Sequence, residues 1–330
     1  MPKGYKHVTL EQRCQIKSYL AIGTISKSQI ARLVKVSAST VTREIQRNSG
    51  LKGYRIKQAH KKAQKRRSEA SKRPSKLTSE LKAQIKQLLL IRWSPEQISG
   101  RLKLSEIYVC HETIYKWIWA DKRKGGTLYK MLRRKGKKSN SRAYKNAGRG
   151  CIKNRVDIDE RPKIVDEKSR CGDFEMDTVI GKQGSYPVLV TAVDRVSKYT
   201  IIQLSPDKTA ENVSNAIIQG MSKYPGEIET LTYDNGKEFS EHEKVSEALH
   251  ATAYFAKTFH SWQRPLNEHT NGLIREDFPK GSDFSKITTQ QVKRVEFLLN
   301  LRPRKSLNYL TPFEIVHNTK LNLFNIALQS

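Results

Sequence analysis

The sequence predicts a multidomain protein in which N-terminal all-α helix-turn-helix modules precede a C-terminal α/β core with a mixed five-stranded sheet. The first observation behind this prediction is charge: the net +30 lies within residues 1–150, whereas residues 151–330 contain equal numbers of acidic and basic side chains. The second is periodicity, because apolar residues recur at helical spacing in the first half and at strand spacing in the second. At 330 residues and 37% hydrophobic, the chain can form two or three domains with buried cores.

The uneven charge indicates a surface for a polyanion, and nucleic acid is the polyanion that we expect. A membrane partner is disfavoured, since no run approaches the roughly 18 apolar residues of a spanning helix. The N-terminal stretch "MPKGYKHVTLEQR" lacks the apolar centre of a signal peptide, so we expect the protein to stay inside the cell. The four cysteines lack C-x-x-C spacing, which predicts reduced thiols instead of a disulfide set or a zinc site.

Residues 1–50 predict a helix-turn-helix DNA-binding domain. Its first helix follows Thr9 and ends at Gly23, and Ser26 and Ser37 are the N-caps of two further helices. The residues expected to face inward are Leu10, Ile16, Leu20, Ile30, Leu33, Val34, Val41 and Ile45. The third helix directs outward a donor-rich set suited to a major groove, namely Ser39, Thr40, Thr42, Arg43, Gln46 and Arg47. A plain three-helix module with a solvated polar face is the alternative, and the surrounding positive charge favours DNA.

A basic linker is predicted over residues 51–76, too charged to pack and forming either a helix or an arm along phosphates. Residues 77–121 predict a second helix-turn-helix-like DNA-binding domain, in which Ser94 caps a helix that has Pro95 at its first position. The apolar stripe before this cap is Leu81, Ile85, Leu88 and Leu89. In the following helix, Ile114, Trp117 and Ile118 are expected in the core, and His111, Thr113 and Lys116 are predicted to contact DNA. Residues 122–164 predict a second basic linker, whose Gly- and Ser-rich part is expected to order only on DNA.

The α/β core is predicted over residues 165–330. Its strands are expected within 171–181, 186–197, 199–208, 227–239 and 251–256, and its helices within 209–225, 240–250 and 264–278. Three strands followed by alternating helices and strands form a mixed sheet, and this is the element order of the ribonuclease H-like fold. A further helix and a Pro-anchored tail are expected to pack back on the core, with Arg302, Arg304 and Lys305 as candidates for DNA contact.

Three carboxylates are placed so that they can converge. Asp177 lies inside the first strand, Asp234 ends the fourth, and Glu268 lies one turn into the late helix. Three converging oxygen ligands are suited to a pair of Mg²⁺ ions, which bind carboxylates together with substrate phosphate oxygens. Such a pair supports an in-line phosphoryl displacement. The alternative for Asp234 is a polar strand cap before the Asn235-Gly236 turn.

Spacing alone does not select the members of this set. Asp173, Glu175 and Asp177 alternate and share one face of the strand. Asp194 is a further candidate, although we expect it to cap a strand end. On the late helix, Asn271 and Arg275 follow Glu268 at helical spacing, either beside a bound phosphate or on a solvated surface.

Several motifs together resemble one family. The segments "GDFEMDTVIG", "LTYDNGKEF" and "FHSWQRPLNEHTNGLIREDFPKGSDF", preceded by "STVTREIQRN", "SPEQISGRL" and "HETIYKWI", resemble the DDE transposases of the insertion-sequence-thirty family. The likeness runs in order from about Thr9 to about Ile315. It implies a ribonuclease H-like, integrase-like core in which Asp177, Asp234 and Glu268 are the catalytic triad and hold two Mg²⁺ ions, for which Mn²⁺ can substitute. Small departures are "RPLNEHT" and "SAST", where the family pattern has Gly-type and Pro residues.

The resemblance also implies an activity. The family cuts DNA at the ends of a mobile element and joins the freed 3′-hydroxyl to target DNA, so double-stranded DNA with terminal inverted repeats is the expected partner. The residues expected near the substrate phosphate are Asn271, Arg275 and Lys237. A homodimer or higher oligomer on DNA is expected, in the cytoplasm and on the nucleoid of a prokaryote. Two alternatives are a metal-dependent nuclease that never joins strands and a DNA-binding regulator with an idle ribonuclease H-like domain.

Overall fold

The computed structural model describes residues 7–71, 77–133, 152–257, 260 and 263–321. The chain forms two compact units, one up to Lys76 and one from Leu77 onward. None of the described helices is both long enough and apolar enough to cross a membrane. The free cysteines of the described part are Cys14, Cys110 and Cys171, and Cys151 lies outside it.

The first unit is a helical domain. Its helices are α1 (Leu10–Ile22), α2 (Lys27–Val34), α3 (Ala38–Asn48) and α4 (Ile56–Ser71). The predicted caps are confirmed, because the hydroxyls of Ser26 and Ser37 accept from the backbone N–H groups of Gln29 and Thr40, and Gly23 ends α1 with a left-handed backbone. The core contains the predicted Ile16, Ile30, Val34 and Val41.

The prediction that Leu10 and Leu33 lie in the core of this unit is wrong. Leu10 and Leu33 are about half exposed. Leu10 is the first residue of α1, where the chain has just left the turn. The buried side of α2 is formed by Ile30, Ala31 and Val34, so it is centred near the small Ala31 and Leu33 points away from it.

The prediction of a basic linker over residues 51–76 is also wrong for its described part. The helix α4 packs on α1 and α3, with Tyr54 and Ala59 buried in the same core. The Tyr54 hydroxyl donates to Glu44 at 3.1 Å, and Glu44 is paired with buried Arg13 at 2.7 Å. One apolar side is enough to pack this helix while its lysines and arginines remain in solvent. Residues 72–76 lie outside the described part.

The second unit begins with α5 (Ser79–Leu90), α6 (Pro95–Leu104) and α7 (His111–Arg123). Their predicted stripe is buried, and Ser94 caps α6 in a capping box with Gln97. These helices belong to the same compact unit as the sheet and contact the C-terminal tail: Arg101 forms a buried ion pair with Glu314, with Nη1 at 2.7 Å from Oε2. The predicted linker 122–164 contains short helical turns at Leu128–Met131 and Ile158–Glu160 and the first two residues of helix α8 (Lys163–Glu167), whereas residues 134–151 lie outside the described part.

The five predicted strands form one sheet. They are β1 (Asp173–Ile180), β2 (Val188–Asp194), β3 (Thr200–Ser205), β4 (Thr230–Tyr233) and β5 (Thr252–Phe255). The order is β3-β2-β1-β4-β5, with β1, β2 and β3 antiparallel and with β4 and β5 parallel to β1. This mixed sheet has the order of the ribonuclease H-like fold, so the predicted fold class is confirmed.

Helices cover both faces of the sheet. The remaining helices are α9 (Ala210–Met221), α10 (His242–Leu249), α11 (Pro265–Ile274), α12 (Thr289–Asn300) and α13 (Pro312–His317). On one face, Phe174 and Met176 of β1 pack in a core with residues of α9 and α10. On the other face, Val179 packs with residues of α11 and α12. The acidic side chains of β1 alternate with Phe174 and Met176, so they point toward α11.

Candidate functional site

Asp177 and Asp234 lie side by side at the centre of the sheet. The parallel register of β1 and β4 pairs Glu175 with Thr232. Asp177 is two residues further along β1, and Asp234 is two residues further along the chain, directly after β4 ends. Because side chains alternate with a period of two and neighbouring strands are about 4.8 Å apart, both carboxylates are on the α11 face and adjacent. The structure therefore brings together two of the three predicted acids.

The environment of Asp177 opposes its ionisation. Burial raises the pKa of this carboxyl, the Arg264 guanidinium lowers it, and the neighbouring Asp234 raises it further. Two donors orient the group: the backbone N–H of Thr178 is 2.9 Å from Oδ1, and the Asn271 amide nitrogen is 2.7 Å from Oδ2. The predicted residue Asn271 thus contacts the site by holding Asp177.

A cation not identified from the sequence lies beside the two acids. Arg264 donates from Nη1 to the Met176 carbonyl at 2.8 Å and from Nη2 to Asp234 Oδ2 at 3.2 Å. Its position follows from Pro265, because the residue before a proline is kept out of the α-helical conformation. Arg264 accordingly has φ −130° and ψ 59°, and its side chain extends back over the sheet.

Glu175 has a different role from Asp177. Its carboxylate is 1% exposed, and Oε2 accepts from the first backbone N–H groups of α11, those of Leu266 at 3.1 Å and Asn267 at 3.4 Å. Its other oxygen is 3.3 Å from Arg195 Nη1. A negative charge at a helix N-terminus is favourable, so Glu175 fixes the start of the helix that carries Glu268.

The other acidic candidates are also bound within the fold. Asp173 accepts from the Thr230 hydroxyl at 2.7 Å and pairs with Arg170. Asp194 accepts from the backbone N–H groups of Gly172 at 2.7 Å and Ser197 at 2.6 Å, which is the strand-end cap that we expected. Asp177 is therefore the member of the alternating set that faces Asp234.

Glu268 lies in the first turn of α11 and is exposed. It is on the helix segment between Arg264, which pairs with Asp234, and Asn271, which binds Asp177. Within the described part of the chain, no three His, Cys, Asp or Glu side chains are grouped closely enough to hold a metal ion. The part of the site that fits a divalent ion therefore consists of two adjacent carboxylates, those of Asp177 and Asp234. A third carboxylate, that of Glu268, is on the neighbouring helix α11, and the Arg264 guanidinium lies beside Asp234.

Two further residues predicted to lie near phosphate are Arg275 and Lys237. Arg275 donates from Nη2 to the Ile180 carbonyl at 2.6 Å, and its guanidinium lies 5.9 Å from the Phe284 ring centre. Lys237 is exposed in the short helical turn Lys237–Phe239 that follows Asp234. The structure places Lys237 beside the end of β4 and Arg275 at the far end of β1.

Sequence reasoning missed Glu238 as well as Arg264. Glu238 is buried, accepts from the Thr178 hydroxyl at 3.0 Å and pairs with Lys208 at 2.8 Å. It therefore joins the turn after β4 to the residue that follows Asp177. The position of Arg264 directly before a proline was a signal that could have identified it, whereas nothing local distinguishes Glu238 from a surface acid.

The predicted DNA-contact residues lie on helix surfaces. On α3, Ser39, Arg43, Gln46 and Arg47 are exposed, whereas Thr40 and Thr42 are half-buried. On α7, His111 and Lys116 are exposed and Thr113 is half-buried, while Ile114 and Ile118 are in the core as predicted. Both helices thus present polar donors to solvent from an apolar base.

The chain is similar to several known proteins. A helix-turn-helix domain model matches residues 4–48 and a homeodomain-like domain model matches residues 40–118. The chain is 47% identical to the transposase for insertion sequence element IS4351 of Bacteroides fragilis, over 94% of this chain and 95% of that protein. It is 34% identical to transposase InsI for insertion sequence element IS30A of Escherichia coli (strain K12), over 95% of this chain and 84% of that protein. Among solved structures, the catalytic core domain of BIV integrase matches with 20% identity and a TM-score of 0.36, over 44% of this chain and 94% of that one.

Proposed function

This chain belongs to the insertion-sequence-thirty family of transposases, and we propose that it cuts DNA at the terminal inverted repeats of an insertion sequence and joins the freed ends to target DNA. The observation that supports this chemistry best is the adjacent pair Asp177 and Asp234 on the α11 face of the sheet. Two carboxylates whose charges repel each other form a site for a divalent cation, which removes that repulsion.

In this proposal Asp177 and Asp234 hold Mg²⁺ together with Glu268 from α11, and Mn²⁺ can replace it. Two such ions, when bound, activate the attacking oxygen and stabilise the leaving oxygen of a phosphodiester. Asn271 keeps the Asp177 carboxylate oriented, and Glu175 keeps α11 in register with β1. The Arg264 guanidinium pairs with Asp234 at 3.2 Å and balances part of the negative charge of the two carboxylates.

DNA binding in this proposal uses both helical modules. Arg43, Gln46 and Arg47 of α3 and Lys116 of α7 are exposed cationic or amide side chains on helix faces, which is the arrangement that reads bases and contacts phosphates. Two modules on one chain lengthen the recognised site and raise affinity through effective concentration. Bringing two element ends together requires two copies of the chain, so we propose a homodimer or higher oligomer on DNA.

The test is a cleavage and joining assay with full-length protein, Mg²⁺ and a labelled duplex that carries the terminal repeat next to its gene. Asp234→Asn and Glu268→Gln are expected to abolish both cleavage and joining and to leave duplex binding intact. The control is Glu247→Gln on α10, which removes an exposed carboxylate outside the site. Cleavage without any joined product would refute the transposase proposal in favour of a nuclease, and loss of duplex binding would assign the acids a structural role.

A further inference from the structure

A cluster of three arginines surrounds a single carboxylate next to α11. Both terminal nitrogens of Arg302 lie 3.3 Å from Glu276 Oε2, and Arg133 pairs with Glu276 through its Nε. The Arg304 guanidinium is close to both other arginines and donates from Nη2 to the Leu299 carbonyl at 3.1 Å. Arg302 is 2% exposed and Arg304 is 9% exposed, so two of the three cations are buried.

The positive charge of this cluster exceeds its negative charge. Glu276 is shared by Arg133 and Arg302, and the nearby Asp277 is paired with Arg92 at 3.1 Å. Burial lowers the pKa of Arg304 to about 9, and repulsion from Arg302 and Arg133 contributes to the same shift. Buried charge without a counter-ion is costly, so the arrangement calls for another anion.

Hydrogen bonding points to the same deficit. The Nε atoms of Arg302 and Arg304 are buried and have no acceptor within the described part of the chain. Buried donors of this kind almost always have a partner. A tetrahedral oxyanion supplies several acceptors at once and matches the fork of a guanidinium.

The position of the cluster suggests which anion it binds. Glu276, which Arg133 and Arg302 contact, lies two residues after α11 ends at Ile274, so the cluster is at the C-terminal end of the helix that carries Glu268. Arg133 is 47% exposed, so the cluster is open to solvent at this side chain. An anion that enters there is held at the C-terminal end of α11.

We propose that Arg133, Arg302 and Arg304 bind a backbone phosphate of the DNA that is cut, at the C-terminal end of α11. The identity of the anion as DNA rests on the proposed function, whereas the presence of an oxyanion site rests on the cluster alone. The site positions the DNA strand on the α11 side of the carboxylates. Arg133 precedes the five strands of the sheet in the sequence, and Arg302 and Arg304 follow them.

The first test is the salt dependence of duplex binding by full-length Arg133→Gln, measured without divalent metal on the terminal-repeat duplex. Loss of one phosphate contact is expected to reduce the magnitude of the slope of log K, the duplex association constant, against log salt concentration by about 1. It is also expected to weaken binding about tenfold at low salt. The control Arg92→Gln removes an equal charge from a neighbouring arginine that is paired with Asp277, and its slope is expected to stay at the wild-type value. Equal slopes for the wild type and Arg133→Gln, or equal losses in both variants, would overturn the proposal.

The second test is thermal stability with inorganic phosphate as the probe. Glu276→Gln removes the carboxylate that the cluster already has, so its melting temperature is expected to fall and to recover with added phosphate more than the wild type gains. A purely structural ion cluster predicts a fall that phosphate does not reverse. Stabilisation by phosphate with no change in the duplex slope of Arg133→Gln would overturn DNA as the ligand. Neither measurement requires catalysis, so a failure of the cleavage assay is distinguishable from a failure here.

Discussion

Glu175 and Asp177 are two residues apart on the same strand face, and we predict opposite effects when each loses its charge. Glu175→Gln is expected to lower stability and to keep metal binding, because Glu175 pairs with Arg195 and receives the N-terminus of α11. Asp177→Asn is expected to keep or raise stability and to lose metal binding. Burial raises the pKa of both carboxyls. For Glu175 it is countered by Arg195 and by the N–H groups of Leu266 and Asn267, whereas for Asp177 the neighbouring Asp234 raises the pKa further.

The size of the Glu175 effect follows from its surroundings. Removing one partner of a buried ion pair costs about 3–5 kcal/mol, and Arg195 would retain Asp166 at 3.2 Å. The glutamine oxygen still accepts from the Leu266 N–H group, so we expect the lower end, about 3 kcal/mol. For a unit of this size, 1 kcal/mol corresponds to roughly 2–4 °C, which gives a fall in melting temperature of about 6–12 °C.

The assay combines thermal unfolding without metal and Mn²⁺ titration calorimetry well below the melting temperature. Asp177→Asn is expected to lose at least about tenfold in Mn²⁺ affinity, since removal even of a residue that only supports a ligand costs that much. Glu175→Gln is expected to bind Mn²⁺ as the wild type does. A stable Glu175→Gln that has lost Mn²⁺ binding, together with a destabilised Asp177→Asn, would refute the assignment of the two residues.

Four further predictions concern the rest of the chain. Arg101→Ala is expected to lower the free energy of unfolding by about 3–5 kcal/mol in urea titrations, because it leaves Glu314 buried without its cation. Burial raises the pKa of Glu314, but Arg101 and two backbone N–H groups outweigh it and hold the pKa below the ordinary value of a glutamate. The stability that Glu314 contributes is therefore complete above that ordinary pKa and is lost as the pH falls through the lowered pKa of the folded state, an acid dependence that should be weaker in Glu314→Gln. Gly100→Ala would place a Cβ 2.3 Å from the Tyr309 ring and should cost about 2 kcal/mol, less in combination with Tyr309→Ala. Arg43→Ala should weaken duplex binding with an unchanged circular dichroism spectrum, and unchanged affinity would remove α3 from the DNA interface.

Most elements were predictable because their signals are local. Ser26, Ser37 and Ser94 cap helices through groups three residues away, and the strands of the core are rich in β-branched and aromatic residues between turn residues. The errors lie where packing decides. Leu33 has the right hydrophobicity for a core position, but the neighbouring helices contact the side of α2 that contains Ala31. The segment that forms α4 was predicted to be a linker because of its positive charge. Burial of Ala59 and of the preceding Tyr54 is nevertheless enough to pack this helix on the core of the first unit.

By itself the sequence determined the two-part charge distribution, the helical modules, the mixed sheet and the positions of the acids on it, since composition and short-range periodicity encode all of these. The metal-ligand and DNA-contact roles stay predictions. The family resemblance implied Asp177 over Glu175, but only the tertiary structure gives a physical reason for that choice. The choice depends on which residues of β4 and α11 face each carboxylate, and those residues are 30 or more positions away in the chain. The same holds for Arg264 and for the cluster around Glu276, whose partners are adjacent only after the sheet and its covering helices have assembled.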